Sequence, residues 1–160
     1  MNPDNFLSAI ILISLFYILF FIGKVVNNLI HREYNLTLEL IEKDNAALAL
    51  AVTGYYVGLV LCIGAALVGP DNGIGEDILD LCIYGILGII LLNISWFLCD
   101  KVILYQFKIS DELILDQNQG TGAVSCGVSI ASGLIIYGAV AGEGGSVWTA
   151  VGFWALGQMI

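Results

Sequence analysis

The sequence predicts an all-α membrane protein: four transmembrane helices built from a tandem two-helix repeat of period 73, followed by the start of a third repeat at the C-terminus. Three observations carry this expectation. Hydrophobic residues make up 59% of the chain and charged residues 12%, with a mean hydropathy of +0.92, a balance that 160 residues cannot wrap into a water-soluble ball. The apolar residues fall in blocks at least as long as the roughly 20 residues a helix needs to cross hydrocarbon. Finally, the chain matches itself when slid by 73 residues.

The first block, Phe6 to Val26, follows "MNPDN", which has no basic segment, and it exceeds the roughly 7 to 15 apolar residues of a signal peptide. It reads as a retained helix. The connector after it alternates apolar residues at Leu36, Leu38 and Leu40, a pattern expected of an extended or interfacial segment. Asn45 then precedes the second block, Ala46 to Gly69. A loop, "PDNGIGED", leads to the third block, Ile78 to Cys99, and a second connector leads to the fourth, Thr121 to Gly142. The last apolar piece, Val147 to Ile160, is only about 21 Å long at 1.5 Å per residue, short of the roughly 30 Å of a bilayer core. It aligns with Ile74 to Leu87 and reads as a third unit that begins and is cut off: either the parent chain continues beyond Ile160, the favoured expectation, or this last helix is half-inserted or completed by another chain.

The repeat lays Leu29–Gly69 over Val102–Gly142 without a gap. Ile30 falls on Ile103, Glu39-Leu40-Ile41 on Glu112-Leu113-Ile114, Asn45 on Asn118, Gly54 on Gly127 and Gly69 on Gly142. The expected units are residues 1–73, 74–146 and the fragment 147–160. Two spans per unit is an even number, so both copies have one orientation and are related about an axis along the bilayer normal.

Charge sets the expected orientation. All five Lys and Arg residues lie at or within the two connectors, Lys24, Arg32 and Lys43 in the first and Lys101 and Lys108 in the second. By the positive-inside rule both connectors are cytoplasmic and the amino terminus is periplasmic. The loops "PDNGIGED" and "GEGGS" have no base, and the acids Asp71, Glu76, Asp77 and Asp80 read as a solvated loop and helix-start acids rather than a cation site. Five bases over two connectors form no phosphate track, so nucleic acid is not an expected partner. Cys62, Cys82, Cys99 and Cys126 form no CxxC pair, and with His31 as the one histidine the ligand count fails for zinc or iron–sulfur. Neither a cofactor nor a metal is expected. No Ser-His-Asp set, P-loop or HExxH is present, and His31 beside Arg32 reads as membrane-surface decoration, so the chain is not expected to be an enzyme.

The stretch "LELIEKDNAALALAVTGYYVG" and its echo "DELILDQNQGTGAVSCGVSIASG" resemble the YjfL-like family of bacterial inner-membrane proteins. The resemblance covers roughly Phe6 to Gly142 and implies a short two-helix domain of unknown function, present twice, with an inner-membrane address. The chain departs from the shorter members in its continuing tail, and its second copy has "NQGTG" where the first has "NAALA".

Four groups of residues are singled out. Asn45 and Asn118 stand where a helix start lacks backbone partners and are expected to cap, with an ion or headgroup ligand as the other use. Glu39 and Glu112, six residues earlier, are either structural or a pair of acids at a cytoplasmic vestibule. Gly54 and Gly58, with Gly127 and Ala131 at the same spacing, form small-residue stripes expected at helix contacts. Within the spans, Asn93, Ser125, Ser129 and Ser132 are the polar residues that should face protein or water rather than lipid. The function expected is that of a helix-packing, oligomerising membrane subunit or scaffold, its partners being the lipid bilayer and a second copy or another membrane protein. The alternative is a component of a small ion or solute channel, in which the fourth span's hydroxyls and Asn93 line a wet path.

Overall fold

In the computed structural model, which describes residues 3–68, 73–141 and 145–159, all regular structure is helical. Helix α1 spans Pro3–Ile30, α2 Ala46–Ala65, α3 Ile74–Leu98, α4 Ile109–Ile114, α5 Gln119–Val140 and α6 Val147–Gly157. Wide π-helical turns occupy Leu38–Glu42 and Cys99–Ile103. Four segments, Phe6–Ile30, Ala46–Ala65, Ile74–Ile103 and Gln119–Val140, are long and apolar enough to cross a membrane. The matched glycines Gly69 and Gly142 lie outside the described residues, as do residues 70–72, with Asp71, and 143–144 of the two base-free loops.

Local chemistry explains the helix starts. Proline at the first helical position of α1 loses no hydrogen bond there and brings its φ already set. Before α3, Gly73 has φ +102°, a conformation open to glycine alone without strain, and Glu76 and Asp77 then meet the positive end of the helix. Ser146 caps α6 by accepting from the Thr149 N–H at 3.1 Å.

Helix α2 is the centre of the bundle. It packs most extensively on α5 and also touches α1, α3 and α4. Leu48, Leu59, Cys62 and Ile63 on it are fully buried. In contrast, α1 turns a row of bulky side chains outward, among them Phe6, Ile10, Tyr17 and Phe21, and α3 does the same with Leu79, Ile83, Ile86 and Ile90.

The α2–α5 contact is a seam of backbone on backbone. A methyl group added at Gly54 would run into the Cys126 main chain, one at Gly58 into the Ser129 carbonyl, one at Gly122 into the Ala47 carbonyl and one at Gly133 into Gly58 itself. Such closeness is the means by which helices gain dispersion contacts where lipid supplies no hydrophobic drive. The seam uses different faces of the two helices. On α2 it is Ala47, Gly54 and Gly58; on α5 it is Gly122, Cys126, Ser129 and Gly133. The positions 73 residues after the α2 set are Gly120, Gly127 and Ala131, and these lie on the outside of α5. The expectation that Gly127 and Ala131 make helix contacts is therefore corrected for the single chain: nothing stands within 4 Å of a methyl built at Gly127, and Ala131 is exposed. The contact is head-to-tail, so equivalent residues have different neighbours.

The connectors also differ from expectation. In the first, the Asn35 side chain accepts from the N–H groups of Thr37 and Leu38 at 3.1 and 3.2 Å and starts a helical turn where alternation suggested an extended segment. The turn closes with the Lys43 N–H on the Leu38 carbonyl at 3.2 Å. In the second connector the corresponding stretch is α4. The short apolar runs bury one side against the base of the bundle, Ile109 and Leu113 packing with Leu48, Ala51 and Val52.

Candidate functional site

Two clusters built alike lie at the connector end of the bundle. In the first, Asp44 takes φ +49°, which turns the chain so that the Asn45 N–H reaches the Glu39 carbonyl at 3.0 Å. In the second, Gln117 takes φ +47° and the Asn118 N–H reaches the Glu112 carbonyl at 2.9 Å. Left-handed backbone at a non-glycine residue is uncommon, and here it recurs at positions 73 apart. Asn45 Oδ1 accepts from the Leu48 N–H at 3.0 Å, and Asn118 Oδ1 from the N–H groups of Gly120 and Thr121 at 3.0 and 3.3 Å. Each asparagine thus caps a membrane-length helix. Each also donates through Nδ2 to its glutamate, Asn45 to Glu39 Oε2 at 3.3 Å and Asn118 to Glu112 Oε2 at 2.7 Å.

The clusters differ in surroundings. Glu39 and Asn45 are buried, whereas Asn118 is exposed and Glu112 only partly covered. Asn45 Nδ2 makes a further bond, to the Leu113 carbonyl of α4 at 2.8 Å. Lys43 Nζ sits 2.6 Å from Glu39 Oε1 and, with Asn45, holds that carboxyl below its ordinary range against the opposing cost of burial. The position matching Lys43 is Asp116, so the Glu112 cluster has no lysine at that place. The two connectors are also joined directly, Lys108 Nζ meeting Glu33 Oε2 at 2.6 Å. That bond lowers the Glu33 carboxyl and raises the Lys108 ammonium. A carboxylate held by lysine and a capping amide has few lone pairs to offer an ion. Among the described residues no group of three or more His, Cys, Asp or Glu side chains is placed to hold a metal.

Most of the polar side chains within the helices bond to other helices. Ser95 donates to the Leu91 carbonyl at 3.0 Å, so Ser132, 2.9 Å away, donates to Ser95. Trp154 Nε1 of α6 donates to the same Ser95 oxygen at 2.7 Å, and Gln158 Nε2 to Ser132 at 3.2 Å. This knot joins α3, α5 and α6. Asn93 Nδ2 donates to the Ile89 carbonyl at 2.6 Å and to the Tyr55 hydroxyl at 3.0 Å, and the Tyr55 hydroxyl donates to the Gly23 carbonyl at 3.1 Å. Ser125 and Ser129 are buried on α5; the oxygens Ser125 Oγ and Asn93 Oδ1 have no protein partner. Asn93 borders an apolar groove of about 390 Å³ between α1 and α3. The thiols of Cys62 and Cys126 fill the places opposite Gly88 and Gly54, and all four cysteines are free.

Sequence reasoning misread His31. It is buried at 6% exposure, with its ring edge-to-face with Trp96 at 4.1 Å between centroids, rather than decorating the surface. No periodic signal near Arg32 marks it, because the burial comes from α3 and the connector folding over it.

A rim of capped helix starts at one end of a bundle of membrane-length apolar helices defines a class of small helical bundle. Residues 1–140 match the family model described as Domain of Unknown Function (DUF350), and the chain belongs to that family. No curated protein and no solved structure matches it significantly.

Proposed function

We propose that the chain is a multipass subunit of a bacterial inner membrane whose role is to assemble with further copies of itself, or with another membrane protein, through the outward face of α5. The observation that carries this reading is a contrast between helix surfaces. The outward face of α5 presents Gly120, Ala123, Gly127, Ala131 and Gly138, with only Val124 and Leu134 as bulky side chains among them, whereas those of α1 and α3 present rows of Phe, Leu and Ile. Bulky aliphatic faces suit lipid, and small-residue faces suit another backbone. Gly120, Gly127 and Ala131 are moreover the counterparts of the α2 face that α5 itself covers.

The matched left-handed residues Asp44 and Gln117, the matched caps and the matched acid-to-amide bonds support descent from a duplicated two-helix unit. The five bases at the connectors support a cytoplasmic connector side and a periplasmic amino terminus. Likeness to YjfL-like proteins supports the inner-membrane address. The reading assigns no catalytic residue.

A native mass measurement in mild detergent tests it. The expected result is a defined multiple of 17.2 kDa that falls to the monomer in Gly127→Leu and in Ala131→Leu, with helicity unchanged. A wild-type monomer that stays alone in membranes sinks the proposal. The orphan oxygens of Asn93 and Ser125 favour the second reading, a small conduit. Ion flux through liposomes holding the pure protein, abolished by Asn93→Leu, would establish it in place of the first.

A further inference from the structure

At the junction of α1, the first connector, α2, α3, α4 and α5 lies a cavity of about 20 Å³. Leu48, Ala51, Val52 and Leu113 are the apolar residues of its lining; Asn27, His31, Tyr34, Tyr55, Trp96 and Ser129 are those with a polar group in the side chain. Its volume exceeds the ~10–15 Å³ that a single water requires.

The chemistry of His31 says what the cavity takes. His31 Nδ1 is 2.8 Å from the Asn27 carbonyl, and a carbonyl only accepts, so in the neutral ring Nδ1 carries the proton. Nε2 is then a bare lone pair. It is buried and has no partner among the protein atoms, although a nitrogen acceptor withdrawn from water costs on the order of 1–3 kcal/mol when it is left unsatisfied. The ring cannot be flipped to cure this, since the Asn27 carbonyl needs a donor on Nδ1.

We propose that His31 and this cavity form a binding site for one water molecule, which donates to Nε2 and takes its remaining bonds from the polar side chains of the lining. The ligand is a small neutral donor: the volume excludes a headgroup. The two acids that act on the ring are each paired with a lysine, Glu33 with Lys108 and Asp100 with Lys101. On its own stretch of chain stand Arg32 and Glu33, on the turn after α3 stand Asp100 and Lys101, and before α4 stands Lys108, paired to Glu33; Tyr34 and Tyr55 bring neutral phenols. Burial lowers the imidazole from its ordinary 6.5, outweighing the Asn27 carbonyl, Glu33 and Asp100, which pull the other way. The water thus joins a neutral histidine on α1 to the helices beyond it, as a bonded filler at the place where the two connectors meet.

Because His31 is the one histidine in the chain, labelling histidine with nitrogen-15 gives a single ring to observe. Solid-state NMR of the full chain in lipid bilayers near neutral pH should show a protonated Nδ1, an unprotonated Nε2 at the shift of a hydrogen-bonded acceptor, and transfer of magnetisation from water to the ring. Ala51→Val, which extends a wall into the cavity, should abolish the water transfer and move Nε2 to the shift of a free acceptor while Nδ1 stays protonated. Should that variant not fold, Val52→Ile makes the same test from the neighbouring wall. A wild-type ring protonated at Nε2, no transfer from water, or transfer that persists unchanged in a folded filled variant each overturns the proposal.

Discussion

The side-chain amide of Asn45 donates to the Leu113 carbonyl of α4 at 2.8 Å while its oxygen caps α2, so one residue both starts a helix and fastens the second connector to it. Asn118 caps α5 and has no such second attachment among the bonds it makes. Equal sequence context thus has unequal weight. Losing a cap costs on the order of 1 kcal/mol. Asn118→Ala is expected to cost about that. Asn45→Ala also strands the Leu113 carbonyl and one Glu39 oxygen in a buried place, so roughly 2–3 kcal/mol is expected. Thermal or denaturant unfolding in mild detergent compares the two, and equal losses would refute the asymmetry.

Gly54 and Gly127 are matched in sequence and opposite in setting. Gly54→Leu drives a side chain into the Cys126 backbone and should lower the melting temperature strongly, with an expected cost of about 3 kcal/mol or more from overpacking a seam that has no room. Gly127→Leu meets open space and should leave the melting of the single chain almost unchanged. A Gly54→Leu protein that melts like the parent would show the seam to be wrongly placed.

Acid should weaken the connector end through Glu39. Its carboxyl is held below the ordinary 4.5 by Lys43 and Asn45, so the unfolded chain takes up a proton at a higher pH than the folded one does. The stabilisation is complete above 4.5 and is lost as pH falls through the lower folded value. His31, whose pKa also lies below its ordinary value, contributes a separate loss that begins as pH drops below 6.5. Stability measured against pH should therefore show the lower limb flattened in Glu39→Gln and the upper one flattened in His31→Phe. Unaltered limbs in both variants would contradict these assignments.

Reporters fused after Lys43 and after Gly73 should report opposite sides of the membrane, the first cytoplasmic. Two periplasmic signals would overturn the orientation.

The membrane-length helices were legible because length and apolarity alone specify them, although α1 and α3 run further than their apolar blocks: Asn27 and Asn28 continue one helix, and the turn Cys99–Ile103 prolongs the other. The starts of α2 and α5 were legible from Asn45 and Asn118, since a cap is local chemistry. The helical connectors were not, because Leu36, Leu38 and Leu40 satisfy a period of two while the Asn35 side chain supplies the turn that overrides it. Gly127 and Ala131 share the spacing of Gly54 and Gly58 without sharing their neighbours within the single chain, because the α2–α5 contact is head-to-tail. His31 depended on Trp96, far away in sequence, and no local pattern announces such a meeting.

The unequal burial of the helices bears on how the bundle comes apart. Only 11% of the most apolar window of α1 is covered, against 56% for α2, and the contacts that hold α1 include Leu19 against Gly85, Gly23 against Leu59, Phe20 against Tyr56 and the Tyr55 hydroxyl on Gly23. Resistance to rupture is then distributed in steps rather than shared. A force applied at the amino terminus should peel α1 away in a first event at low load, with α2 and α5 yielding together in a later and larger one, and amide exchange in α1 should outpace that of the pair it leaves behind.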